Sequence, residues 1–308
     1  MTTGKNFNLF LMDGTVTGRI KCTLANWTGL AYKIPRTHLS QSKERADLKQ
    51  SGVYFLFGKN EADEDEVYIG QAGLRKNGEG VLLRVTEHLK DEAYFSEAIL
   101  LTTQNNSFGP TEISYLEHRF TNLAIATARY RVRNANDPNP GNVTEEKESE
   151  LEDFISYAKM VLGVLGYKVF VPLVERDAPA SAPAPATAEA AAEMTLYLSR
   201  KSRKAGRVIE AQCRRTSEGF VVLAGSMIDT VDGDTIPKSI KALREKCIAR
   251  GDIAGDKLMR DTLCTSPTYA AAFVLGMTTN GRTDWKTADG TTFKAWDEAE
   301  AADSADRG

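Results

Sequence analysis

A run of alternating alanine and proline restricts how this chain can fold, because it divides the sequence in two. The run reads DAPASAPAPATAEAAAE and extends from Asp177 to Glu193. Such a composition cannot bury a core and favours extended, semi-rigid backbone. We therefore interpret residues 176–194 as a linker, and the 308 residues of the chain are enough for two ordinary domains.

The remaining composition is typical of a globular protein, with 42% hydrophobic and 26% charged residues. No window approaches the roughly 18 consecutive apolar residues of a membrane span, and the N-terminus lacks the basic and apolar regions of a signal peptide. The four cysteines form no C-x-x-C pair, which argues against a disulfide framework and against a zinc site. We expect a reduced, cytoplasmic protein that does not bind membranes.

Charge is distributed unevenly along the chain. Residues 195–296 contain 17 basic and 11 acidic side chains, whereas residues 297–308 carry four net negative charges. We therefore predict a basic C-terminal domain at 195–296 and an acidic tail after it. Short charge runs usually form a solvated surface; contact with nucleic-acid phosphates is the alternative. The candidate phosphate-contacting residues of this domain are Arg200, Lys201, Arg203, Lys204, Arg207, Arg214 and Arg215.

The part before the linker shows alternating strand and helix patterns. Residues 7–33 are β-rich, so we assign residues 1–49 to an N-terminal β-rich extension. The strands GVYFLFG and EVYIGQAG flank an acidic loop and predict an antiparallel hairpin. A helix, the strand FSEAILLTT and two more helices follow, which predicts an α+β fold with a small sheet over residues 50–175. Thr111 is a candidate N-cap, and YKVFVPL is a candidate closing strand.

Six polar residues before the linker are candidates for a functional site, although each has an ordinary structural explanation. Tyrosine favours strands, and its unperturbed pKa of about 10 requires nearby cations before it acts as a base at neutral pH. An arginine and a histidine four residues apart share one helix face, a glutamate borders an apolar helix stripe, and an asparagine lies in a turn-rich run. These candidates are Tyr54, Tyr68, Arg84, His88, Glu117 and Asn134.

Taken together and in this order, the candidates resemble the GIY-YIG nuclease family over residues 50–136. The two hallmark triplets are present as Gly52-Val53-Tyr54 and Tyr68-Ile69-Gly70. Arg84, with His88 four residues later, matches the helix that carries the family's arginine. Glu117 lies early in a long helix after the third strand, where the family places its single metal-binding glutamate.

The resemblance implies a three-stranded antiparallel sheet flanked by helices, and metal-dependent hydrolysis of phosphodiester bonds in nucleic acid. It implies that Glu117 binds one Mg²⁺ or Mn²⁺ ion, that Arg84 stabilises charge on the phosphate, and that Tyr68 activates the attacking water. Tyr54 and His88 would orient these groups. Asn134 would bind near the phosphate, with double-stranded DNA as the expected substrate.

Two departures from the family pattern bear on these roles. Gln71 stands where many relatives carry lysine, so either Arg75 or Lys76 supplies the missing charge near the nucleic acid, or Tyr68 is less activated. Arg129 lies closer than Asn134 to the position that the family pattern indicates. A non-catalytic nucleic-acid-binding protein and an RNA-cleaving effector are therefore the alternative functions.

The basic C-terminal domain resembles an uncharacterised domain that recurs beside nuclease modules in bacterial proteins. The segments that carry this resemblance are GFVVLAGS, SPTYAAAFVLG and NGRTDWK. The resemblance supplies no biochemical role, so we expect this domain to bind either the substrate or a protein partner.

Overall fold

The computed structural model describes residues 4–61, 63–91, 94–134, 138–174, 194–202 and 206–306. Residues 176–193 of the predicted linker lie outside these ranges, as do Arg203 and Lys204. Contacts divide the chain into two compact units, with the boundary between Pro172 and Leu173. None of the described helices is both long and apolar enough to cross a membrane.

The first unit contains a seven-stranded sheet in the order β1-β2-β3-β6-β4-β5-β7. All neighbouring strands pair antiparallel except β5 and β7, which are parallel. The strands are β1 Phe7–Leu11, β2 Ile20–Leu24, β3 Gly29–Pro35, β4 Gly52–Lys59, β5 Asp65–Ala72, β6 Phe95–Thr103 and β7 Arg131–Val132.

The α+β class is confirmed, and the sheet of the first unit has seven strands, where three strands and a separate N-terminal extension were expected. The reason is the pairing of β3 with β6, which runs from Gly29 opposite Thr103 to Pro35 opposite Glu97. This pairing joins the three N-terminal strands to the strands of the hairpin in one continuous sheet. The predicted strands FSEAILLTT, GVYFLFG and EVYIGQAG are the neighbours β6, β4 and β5 within it.

Helices cover both faces of this sheet. One face carries α1 (Val81–Asp91) and two 3₁₀ turns (Arg36–Ser42 and Ala46–Leu48), and the other carries α2 (Pro110–Thr127) and α3 (Glu145–Val164). Because both faces are covered, β4 is buried on each side along most of its length.

Two local predictions in the first unit are wrong. The N-cap of α2 is Gly109 rather than Thr111, because Pro110 occupies the first helical position and the Glu112 carboxylate accepts the Gly109 N–H at 3.0 Å. The segment YKVFVPL is not a strand. It follows the left-handed Gly166, and the side chains of Val169 and Phe170 fill the core beneath α2 and α3.

The second unit contains a four-stranded antiparallel sheet in the order β13-β10-β9-β8, together with the short pair β11 and β12. Ser266 caps α5 by accepting the Tyr269 N–H, as its position before Pro267 indicates. The described part of the acidic tail belongs to α7. The elements are β8 Thr195–Lys201, β9 Val208–Thr216, β10 Gly219–Val222, α4 Lys238–Ala249, β11 Ile253–Ala254, β12 Lys257–Leu258, β13 Thr262–Cys264, α5 Pro267–Leu275, α6 Gly281–Asp284 and α7 Phe293–Asp306.

Candidate active site

The two tyrosines of the hairpin face the same side of the first sheet. Tyr54 on β4 lies directly opposite Gly70 on β5, and the ring centroids of Tyr54 and Tyr68 are 6.2 Å apart. A Cβ atom at Gly70 would lie 2.4 Å from the Tyr54 hydroxyl oxygen and 2.9 Å from the Tyr68 ring. The glycine of the second triplet is therefore required by the place that the first tyrosine occupies.

Helix α1 brings His88 and Arg84 to this pair of tyrosines. The Tyr54 hydroxyl group and His88 Nε2 are hydrogen-bonded at 2.8 Å in the buried interior. The His88 ring centroid lies 5.5 Å from that of Tyr54 and 5.2 Å from that of Tyr68. The positive charge of Arg84 acts on Tyr54 and Tyr68 as well, so the face shared by Arg84 and His88 points to the tyrosines.

The two tyrosines differ in their burial. Burial raises the pKa of Tyr54, Tyr68 adds to the rise, and the positive charge of Arg84 opposes it. Tyr54 therefore stays a neutral phenol at neutral pH and acts through its hydrogen bonds. Tyr68 is half-buried, whereas Tyr54 is almost completely inaccessible. Of the two hydroxyl groups, that of Tyr68 is better placed to reach a solvent molecule.

Glu117 approaches the same group from α2. Burial raises the pKa of Glu117, while hydrogen bonds from the side chain and backbone of Gln71 and the charge of Arg84 oppose that rise. Gln71 also donates from Nε2 to Ser114 Oγ at 3.0 Å. Gln71 thus links β5 to α2 and holds the Glu117 carboxylate, instead of providing a charge beside Tyr68.

Asn134 occupies a different place from the other candidates. Its side chain accepts the Ile69 N–H at 3.1 Å and donates to the Ile69 carbonyl at 2.7 Å. These bonds continue the pairing of β5 beyond the short β7 and fix the backbone between Tyr68 and Gly70. Arg129, the competing candidate, donates from Nε to the Val171 carbonyl at 2.8 Å.

Glu87 was missed by the sequence reasoning and connects the site to Arg75. Its carboxylate accepts a two-pronged ion pair from Arg75, at 2.6 and 2.8 Å, and a bond from Arg84 at 3.2 Å. The hydrogen bonds from Arg75 lower the pKa of Glu87 to about 2. The spacing of Glu87 three residues after Arg84 was the available signal, but such pairs are common on exposed helices. Lys76, next to Arg75, is exposed.

Three of the candidate basic residues of the second unit are paired with acids. Arg200 pairs with Asp284 at 3.2 Å, and Arg207 pairs with Asp256. Arg215 pairs with Glu300 at 2.8 Å and lies over the Trp296 ring. Arg214 is half-buried. Lys201 is exposed at the end of β8. These ion pairs occupy arginines that the sequence alone suggests for contact with phosphates.

Comparison with known proteins bears on the second unit. Residues 202–297 match a family described as a domain of unknown function, DUF4357. No curated protein and no solved structure matched the chain. The DUF4357 region begins directly after β8 and ends within α7, and its description assigns no activity or ligand.

Proposed function

We propose that this protein is a metal-dependent endonuclease of the GIY-YIG type that hydrolyses phosphodiester bonds, with double-stranded DNA as its principal substrate. The observation that carries the proposal is the convergence of Tyr54, Tyr68, Arg84, His88 and Glu117 from four separate elements. Their common feature is a set of groups suited to a phosphate: one guanidinium, one carboxylate, one imidazole and two phenols.

In this proposal, each residue of the site has its own role in hydrolysis. Arg84 binds the phosphoryl oxygens and stabilises the negative charge that develops on them. Tyr68, in its phenolate form, accepts the proton of the attacking water, since it is the more exposed phenol and the positive charge of Arg84 favours that form. Tyr54 and His88 form a buried hydrogen bond that fixes the position of Tyr68 and Arg84 relative to the phosphate.

Glu117 is the residue that would hold a divalent ion. Among the residues that the structure describes, no group of three or more His, Cys, Asp or Glu side chains could bind a metal. One half-buried carboxylate suits Mg²⁺ or Mn²⁺, because Mg²⁺ commonly uses one or two carboxylates and keeps several waters. When bound, the ion polarises the scissile phosphate and stabilises the leaving oxygen.

Outside the site, the proposal assigns contact with the substrate to exposed cations. Lys76 lies on the loop between β5 and α1, beside the Arg75–Glu87 ion pair. The DUF4357 region binds substrate in this account, and a protein partner is the alternative occupant of that region. The pairing of Arg75 with Glu87 favours Lys76 over Arg75 as the direct phosphate contact.

A cleavage assay on the full-length chain tests the proposal. Supercoiled plasmid and single-stranded RNA are each incubated with the protein in Mg²⁺ and in EDTA. We expect plasmid cleavage in Mg²⁺ alone. Tyr68→Phe should reduce its rate at least about 100-fold, in line with the loss of a general base. Tyr157→Phe, a matched control remote from the site in sequence, should cleave normally.

Three outcomes would contradict the proposal in distinct ways. Binding of DNA without cleavage in any metal would favour the non-catalytic alternative. Cleavage of RNA but not plasmid would favour an RNA-cleaving effector. Plasmid cleavage that Tyr68→Phe leaves unchanged would contradict the assignment of the site while preserving the activity.

A further inference from the structure

One face of the sheet in the second unit is exposed along β8 and β9. Side chains alternate across these strands, so Leu196 and Leu198 enter the core while Tyr197 and Ser199 face outward. The partner residues on β9 are Gln212 opposite Tyr197 and Glu210 opposite Ser199, and both are exposed.

Tyr197 is an unusual residue for the middle of an exposed strand face, since 41% of its surface is accessible. Its backbone is held on the outer edge by Lys286, through hydrogen bonds of 2.7 and 2.9 Å. On the other side β8 pairs with β9 along its whole length. The aromatic ring of Tyr197 therefore projects from a backbone that neighbouring segments hold on both sides.

Two cavities adjoin this ring. The larger, of about 490 Å³, is lined by Tyr197, Ser199, Glu210 and Gln212 together with the 224–227 loop. The smaller, of about 300 Å³, lies between Tyr197, Ser199 and the 284–290 segment that includes Lys286. Both volumes fall within the range of small-ligand sites, roughly 300–1,000 Å³.

The chemistry of the larger cavity suits a nucleobase. An exposed aromatic ring offers a stacking surface to any base. The Gln212 amide provides donors and an acceptor, the Glu210 carboxylate accepts from exocyclic amino groups, and the Ser199 hydroxyl does both. Only unpaired bases present their faces and edges in this way, so a duplex does not fit the site.

Exposed lysines stand where the phosphates of such a strand would run. Lys286 lies beside Tyr197 at the outer edge of β8. Lys201 is four residues further along β8, on the same face as Tyr197 and about 13 Å away at the rise of a strand. A nucleic-acid strand lying along β8 passes both lysines.

We propose that the outer face of β8 and β9 binds unpaired bases of single-stranded DNA, with Tyr197 as the stacking platform. This inference rests on the proposed function only in taking nucleic acid as the substrate. It gives the sheet of the second unit a ligand, namely the unpaired segment of a DNA molecule; β9 of this site lies within the DUF4357 match, and β8 directly precedes it.

The experiment measures binding of the full-length chain in EDTA, so that no cleavage occurs. The probes are a labelled thymidine oligonucleotide, the same length of sugar-phosphate chain without bases, and a labelled duplex. We expect Tyr197→Ala to weaken binding of the oligonucleotide about tenfold, because stacking on an aromatic ring contributes strongly for each base. Tyr197→Phe should retain affinity, and binding of the baseless chain should not respond to either change.

A matched control separates this effect from misfolding. Val231→Ala alters a side chain of similar exposure in the same unit and should leave binding unchanged. Equal affinity of Tyr197→Ala and wild type for the oligonucleotide would overturn the inference, as would equal loss with the baseless chain. Cleavage of plasmid by wild type in Mg²⁺ is scored separately, so failure of the nuclease proposal and failure of this inference are distinguishable.

Discussion

Single residues of the first sheet are constrained by atoms that lie on neighbouring strands. Gly70 faces the Tyr54 ring, and Gly52 on β4 faces the Leu101 carbonyl, which a Cβ atom would approach to 2.4 Å. The glycines of both triplets are therefore required by packing, while the proposed function assigns a positioning role to Tyr54 and a reactive role to Tyr68. A sequence motif of this kind combines residues required by packing with residues that the proposal assigns to the reaction.

Gly70→Ala tests whether packing requires the glycine of the second triplet. The added methyl group must displace the Tyr54 hydroxyl, which breaks its bond to His88 and costs about 1–3 kcal/mol of stability. Thermal unfolding should show a lower midpoint, and cleavage should fall more than the stability loss explains. Gly163→Ala is the control: beyond the adjacent backbone of α3, no atom of the described residues lies within 4 Å of its added methyl group, and alanine favours the α3 helix. Unchanged activity in Gly70→Ala would contradict the role of the Tyr54–His88 bond.

Glu87 gives a prediction about pH. Its pKa is lowered to about 2 from 4.5, so its ion pairs stabilise the folded state fully above pH 4.5 and lose that effect as pH falls towards 2. Glu87→Gln should therefore unfold at a lower temperature than wild type at pH 7, with the difference shrinking by pH 3. The effect is modest, because both partners are about 40% exposed. A difference that grows in acid would contradict this assignment.

The same variant tests the site, since Glu87 holds Arg84 at 3.2 Å. We expect a several-fold loss of kcat with a smaller change in KM, because Arg84 is free to leave the Tyr54 hydroxyl. Glu150→Gln, which removes the similar surface pair with Lys147, is the control and should leave kcat unchanged.

At the scale of elements, the edge of β5 determines where Tyr68 lies. β7 pairs with β5 at Glu66 and Val67, and the Asn134 side chain hydrogen-bonds to the β5 backbone at Ile69. This side chain thus replaces a strand residue at the edge nearest the tyrosine. Under the proposed function, the effect of Asn134 on cleavage is then indirect, through the backbone of β5.

Asn134→Ala should free two backbone groups of Ile69 and cost about 1–3 kcal/mol. Cleavage should fall with stability, and Asn134→Asp, which keeps the acceptor but not the donor, should give an intermediate result. Asn139→Ala, which removes a local bond to the Gly141 N–H, is the control. A large loss of kcat in Asn134→Asp at wild-type stability would instead indicate direct contact with the phosphate.

The elements were predictable from sequence where local patterns determine them. The hairpin of β4 and β5, helices α1 to α3 and the cap at Ser266 follow from alternation, periodicity and capping residues. The pairing of β3 with β6 was not, because its partners lie about 70 positions apart and no local signal specifies the register. The apolar run around Phe170 reads as a strand, but it fills the core without a partner strand.

The candidate site was likewise only partly predictable from the sequence. Residue identities and helix spacing indicated Arg84, His88 and Glu117, but the hydrogen bonds made by Gln71 and Asn134 depend on tertiary contacts. Gln71 in particular was interpreted as a missing charge, whereas it supports Glu117 from β5. Substitutions that appear to weaken a motif can be explained only when their partners are known.

At the scale of the whole molecule, the chain has an overall charge of −3 and a second unit whose arginines are largely paired with acids. Attraction to DNA should then depend on a few exposed lysines. We expect the affinity of the full-length chain for DNA to fall as the salt concentration rises. Lys76→Ala and Lys201→Ala should each reduce the slope of log affinity against log salt concentration by about one. Lys147→Ala, whose charge is already paired with Glu150, should leave the slope unchanged. A slope unaffected by either lysine would place the DNA elsewhere.

The central claim is that the converging residues of the first unit hydrolyse DNA with Glu117 as the metal-binding group. Its most direct test is the rate of plasmid cleavage in Mg²⁺ by wild type and by Glu117→Ala at equal concentration. The account predicts efficient cleavage by wild type and no detectable cleavage by Glu117→Ala, with both variants equally folded by circular dichroism. Cleavage by Glu117→Ala at the wild-type rate would contradict it.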